Sequence, residues 1–158
     1  MQVFCGSNEG FVAHVTSACH PRRSCCAWAR HGELRYLWRA VPPAAKDRFG
    51  LTRVLGEVLE IVSHVLSSNR TVLLASDENL DAAACAAVAL LVGCYGESGP
   101  QALHAGPLGA VQPSAQPVTR QAVDAAVRWV CERCPLARPS KARLKAVTSF
   151  FSPPRWAH

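Results

Sequence analysis

The 158-residue sequence has no run of about 18 or more uncharged apolar residues, so a transmembrane helix is not expected. Its opening stretch, "MQVFCGSNEG", lacks both a basic n-region and an apolar h-region, which argues against a secretory signal peptide. There is no internal repeat. Residues 133–158 contain no acidic residue. The turn Ser76-Asp77-Glu78-Asn79-Leu80-Asp81 lies between a β-branched run and an apolar helix, where backbone N–H groups could cradle an anion. Yet it has no glycine to let the backbone close in, no cysteine to act as a nucleophile and no arginine to balance phosphate.

What is present suits one compact domain: 49% hydrophobic and 18% charged residues in a chain long enough to bury a core. Eight cysteines would suit a disulfide scaffold, but Cys85 and Cys94 fall inside an apolar helix, where a free thiol behaves as a small hydrophobe. Without a secretion signal, the cysteines read as reduced and the location as cytoplasmic, or else nuclear. The net charge of +6 is localised. Residues 1–132 hold eleven Lys/Arg and eleven Asp/Glu, which cancel, whereas the excess is Arg133, Arg138, Lys141, Arg143, Lys145 and Arg155. Such a patch is an electrostatic footprint for nucleic acid or a solvated helix face.

Along the chain, residues 1–31 read as a lead-in, an edge hairpin or a partly disordered segment. The alternation in "GELRYLWRAVPP" predicts a strand with Leu34, Tyr36 and Trp38 on one face, ended by Pro42-Pro43. Residues 51–66 carry apolar positions at steps of three and four, an amphipathic helix with Arg53, Glu57, Glu60 and His64 on its wet side. "TVLLA" (71–75) predicts a strand covered on both faces. Asp81 is placed to cap a helix over 82–95 that has almost no polar side, with Gly93 or Gly96 at its end. Residues 96–117, with four glycines, four prolines and one charge, predict a long loop. Thr119 and Ser140 are expected to cap two further helices. The first has core positions Val123, Ala126, Val127 and Val130; the second has Leu144, Val147 and Phe150 or Phe151. Residues 152–158 form a tail, and alternating strands and helices imply an α/β layered domain over 32–151.

Few residues offer chemistry. Cys131-x-x-Cys134 is a zinc half-site that lacks a clear second pair, so no metal is expected. Cysteine–histidine pairings are too numerous to be informative, and no cysteine lies in the 76–81 turn, where a helix N-terminus would lower its pKa. Asp77, Glu78 and Asp81 would repel a phosphate dianion. The basic helix "RPSKARLKAVTSFFSPPRW" offers Arg138, Lys141, Arg143, Lys145 and Arg155 to phosphates and Trp156 to a base, while its apolar face packs inward.

The stretch "AVDAAVRWVCERCPLARPSKARLKAVTSFF" resembles the C-terminal end of the initiator tRNA phosphoribosyl transferases. The likeness rests on Arg128-Trp129 and on Pro139, Ser140, Ala142, Leu144, Val147, Ser149 and Phe150. Upstream, "KDRFGLTRVLGEVLEIV" and "RTVLLASDENLDAAACAAVALL" are similar to that family's Lys-x-x-Arg segment and its strand, loop and helix. The resemblance covers about residues 32–151. It implies a three-layer sandwich of the dual-specificity-phosphatase-like type, following a larger N-terminal region that is missing here. In the family, phosphoribosyl pyrophosphate is the donor and a 2′-hydroxyl of initiator tRNA the acceptor.

Set against a phosphatase loop, Ala75 stands in place of the cysteine, Glu78 in place of a glycine and Ala82 near the serine. The segment "VPPAAKDRFG" has alanines around the expected acid, with Asp47 close by. The resulting expectation is a degenerate phosphate loop (Ala75, Ser76, Asp77, Glu78, Asn79, Leu80, Asp81), no catalytic residue and no cofactor in this chain. The domain would then be a non-catalytic module that helps position tRNA. The alternatives are a residual phosphatase or phosphate-binding enzyme, and a scaffold that binds another protein.

Overall fold

The computed structural model describes residues 10–16, 26–31, 34–42, 45–67, 71–76, 80–95 and 118–152. In chain order these form β1 (Gly10–Thr16), β2 (Cys26–His31), β3 (Leu34–Ala40), α1 (Gly50–Ser67), β4 (Thr71–Ala75), α2 (Leu80–Tyr95), α3 (Arg120–Arg133) and α4 (Lys141–Phe151). The four strands make one sheet in the order β2-β3-β1-β4. β1 runs parallel to both neighbours, with Ala13 opposite Leu37 on one side and Leu74 on the other. β2 lies antiparallel to β3 at the edge.

This corrects the reading of residues 1–31 as a lead-in. β1 is an interior strand, and the hairpin partner of β2 is β3 rather than β1. The reason is that β1 finds its partners far along the chain, and a seven-residue window carries no sign of non-local pairing. β3 is a strand as its alternation predicts. The side chains of Leu34, Tyr36 and Trp38 lie outside the described set, as does the loop 96–117, while Leu37 and Arg39 on the alternate face are buried.

α1 follows its periodicity closely. Leu51, Leu55, Val58, Leu59, Val62 and Val65 are buried, whereas Arg53, Glu57, Glu60 and His64 are exposed. Full burial of each large aliphatic side chain contributes about 1.5–3 kcal/mol. Asp47 organises the start of this helix: its Oδ1 accepts from the Phe49 N–H at 3.0 Å and its main-chain carbonyl from Gly50 at 3.3 Å. Gly50 also permits a close approach, because a Cβ there would stand 2.9 Å from Pro42 Cδ.

α2 is the centre of the domain. It touches α1, α3, α4, β1 and β4, and every residue from Ala82 to Val92 is buried, which is why its sequence needs no polar face. Gly93 does not end it. The helix continues to Tyr95, and Gly93 instead lets the Phe151 ring and Leu59 close in, at 3.2 and 3.3 Å from where a Cβ would lie. Thr119 and Ser140 cap α3 and α4 through their side-chain oxygens, and Val123, Ala126, Val130, Val147 and Phe151 face the core. Among the described residues no helix is long and apolar enough to cross a membrane.

Candidate functional site

The parallel strand β4 ends at Ala75, followed by Ser76, and α2 begins at Leu80. Asp77, Glu78 and Asn79 lie outside the described residues. Ala75, Ser76 and Leu80 are each half-buried. Asp81, expected at the cap, sits within the first turn of α2, and its carboxylate reaches across to α4.

That reach builds the most connected polar cluster in the described structure. Asp81 Oδ1 accepts a 2.7 Å hydrogen bond from the Ser140 backbone N–H, at the N-cap of α4. Its Oδ2 lies 3.0 Å from Nε of Arg143, with the side chains 13% and 5% exposed. The Nε–H is not directed at a hydrogen-bond acceptor, so this contact is a charge–charge one. Arg143 Nη2 donates to the Pro42 carbonyl at 3.1 Å, which adds the segment after β3. A helix N-terminus and a guanidinium are the groups a protein uses to hold phosphate. Here they hold a carboxylate of the same chain.

The two buried thiols of α2 are poor nucleophiles. Cys85 sits one turn beyond Asp81 and points its Sγ at Asp81 Oδ1, 3.6 Å away. Burial, then the Asp81 charge and hydrogen bond, push its pKa far above the ordinary thiol range. Burial alone pushes Cys94 up to about 12. The thiolate, which performs nucleophilic attack, is therefore disfavoured at both positions. Nor does Asp47 resemble a proton donor. Partial desolvation raises its pKa, but the Phe49 N–H, the Arg53 guanidinium and the Gly50 N–H together hold it below the usual carboxylate value.

The predicted basic residues divide. Arg138, Lys141 and Lys145 are exposed, and among the described residues none has an ion-pair partner. Arg155 lies outside the described residues. Arg143 is corrected from a phosphate contact to an interior residue, 4% exposed and engaged with Asp81 and Pro42. The signal was in the helical spacing: 143, 147 and 151 fall on one stripe, and Val147 and Phe151 are core residues.

Cys131 donates its thiol to the Ala137 carbonyl at 3.6 Å, and Cys134 closes α3 through its backbone N–H. Both thiols are free, and among the described residues no cluster of three or more His, Cys, Asp or Glu is arranged around a metal position. Two further features carried no sequence signal. Arg39 on β3 forks onto Glu57 of α1, with Nε to Oε2 at 2.7 Å and Nη2 to Oε1. In the turn before α1, the Arg48 guanidinium lies 4.6 Å from the centre of the Phe49 ring, which is 53% exposed.

These features define an α/β domain in which a parallel strand leads into a buried helix, and in which the helix-terminal anion donors are taken by an internal aspartate. Residues 35–151 match the family model of the Rit1 DUSP-like domain of initiator tRNA phosphoribosyl transferases, and the chain belongs to that family. No curated protein matches the sequence.

Proposed function

We propose that the chain is a non-catalytic, tRNA-positioning module of an initiator tRNA 2′-O-ribosyl phosphate transferase. On this reading the domain is a three-layer, dual-specificity-phosphatase-like sandwich with a degenerate phosphate loop over 75–81, and it works in the cytoplasm. Transfer from phosphoribosyl pyrophosphate to the initiator tRNA belongs to an N-terminal catalytic region supplied by another polypeptide or a longer chain. Family membership supports the tRNA partner. The observation that carries the reading is the division of the basic helix: Arg143 is spent inside the fold, while Arg138, Lys141 and Lys145 face solvent without carboxylate partners among the described residues.

Binding of tRNA across a salt series tests it. Arg138→Ala/Lys141→Ala/Lys145→Ala should weaken binding and reduce the log–log salt slope by about one per contact removed. Unchanged affinity and slope would overturn the reading in favour of a protein-binding scaffold. No turnover of p-nitrophenyl phosphate is expected. Turnover that disappears in Cys85→Ser would restore the phosphatase alternative.

A further inference from the structure

We propose that the RNA-contacting surface continues from the start of α4 onto the turn at 45–50, where Lys46 and Arg48 contact phosphates and Phe49 stacks on an unpaired base. This rests on the tRNA-positioning reading and names a second contact region for it.

The first support is connectivity. Arg143 ties the start of α4 to Pro42 by its 3.1 Å hydrogen bond, and Pro42 packs directly against Gly50 at the head of α1. The turn before α1 is therefore held beside the start of α4, on a rim formed where β3 and β4 leave the sheet. These two strands run parallel to β1, so their C-terminal ends share one edge. Arg143 serves as the bracket between two exposed cationic segments, Arg138/Lys141/Lys145 on one side and Lys46/Arg48 on the other.

The second support is charge. The only acid between residues 45 and 53 is Asp47, and its carboxylate is paired with the Arg53 guanidinium and accepts from the Phe49 N–H. Lys46 and Arg48 have no carboxylate partner among the described residues. The local field is positive, which suits a polyanion.

The third support is the ring. Phe49 is one of two large apolar side chains that stand out from the described surface. It follows Lys46, Asp47 and Arg48, and the nearest large apolar residue in sequence, Leu51, is buried, so the spot has the makings of a stacking platform and not of an apolar protein interface. A half-exposed ring with a guanidinium against it is the combination that single-stranded nucleic acid uses, a base on the π-face and a cation near the backbone. Bases are open to stacking only where they are unpaired, which selects loops and ends over duplex.

The test measures affinity of the full chain for tRNA and for a perfectly paired duplex RNA of similar length. Phe49→Ala should weaken tRNA binding roughly fivefold or more, by the usual worth of one stacked base, and leave duplex binding unchanged. Phe49→Trp should preserve tRNA binding. Lys46→Ala/Arg48→Ala should weaken both RNAs and lower the salt slope by about two. All these side chains are exposed, so thermal unfolding of each variant should match the parent.

If the α4 triple variant weakens tRNA binding while the Lys46/Arg48 and Phe49 variants do not, the extension is overturned and the underlying reading stands. If the α4 triple variant is itself without effect, or the parent chain binds no tRNA, the underlying reading fails. Equal losses on tRNA and duplex in Phe49→Ala would overturn base stacking.

Discussion

Two arginines are buried to the same degree, Arg39 and Arg143, each 4% exposed, but they are satisfied in different ways. Arg39 forks onto Glu57, a carboxylate whose side chain is 43% exposed and which lies on the next helix in the chain. Arg143 faces Asp81, 13% exposed, and reaches a carbonyl 101 residues upstream. The first is a local brace that water can enter. The second is a knot joining three distant segments, with both charges withdrawn from solvent. An ion pair half in water gives modest stability, whereas deleting one partner of a buried pair leaves an uncompensated charge. Equal burial of two arginines thus implies unequal consequences for their loss.

The largest effect is expected from Arg143→Ala, about 3–5 kcal/mol, because Asp81 would be left buried without its cation. Urea unfolding near neutral pH measures this. Asp81→Asn keeps an acceptor for Ser140 but removes the charge, and the double variant should lose less than the sum of the singles. Additive losses would show that the knot is held by packing rather than by charge.

Next comes Glu57→Gln, expected to cost about 1–2 kcal/mol, since water can approach the half-exposed end of the brace. A loss equal to that of Arg143→Ala would erase the distinction between the two pairs. The brace also has a pH signature. The Arg39 hydrogen bond lowers the Glu57 pKa below its ordinary value of 4.5, against an opposing desolvation and with help from the Arg39 charge. Its contribution is therefore fully present above pH 4.5 and is lost as pH falls through the lower, folded-state value. The stability gap between the parent and Glu57→Gln, measured by unfolding at a series of pH values, should narrow accordingly.

The smallest effect belongs to Lys145→Ala. This residue lies two positions beyond Arg143 on the same helix but points to solvent, so stability should change by no more than about 0.5 kcal/mol. A large change would mean that the outward face of α4 also carries structural weight.

Much of this was legible in the sequence. The periods of α1, α3 and α4, the caps Thr119 and Ser140, and the all-round apolar character of α2 are local patterns that the structure follows. What escaped were relations between distant residues. Asp81 reads locally as a cap because it precedes an apolar run, and nothing near it announces Ser140 or Arg143 as partners. Arg143 reads as one member of a basic run, since charge is conspicuous in a sequence while helical phase has to be worked out. β1 looks unremarkable beside the β3 alternation, and its interior position is a property of pairing rather than of composition.

The placement of β1 has a consequence for how the family-matched region can be handled. That match begins at residue 35, after β1 and β2 have already been laid down. A polypeptide starting there would keep β3 and β4 but leave between them a gap of one strand, about 10 Å from β3 to β4. Both flanks of the gap would present open backbone donors and acceptors in parallel register. Such a slot invites an extended segment from elsewhere, including the first strand of an intact neighbour, so shortening this domain to its recognised core would trade a filled sheet for strand exchange between chains.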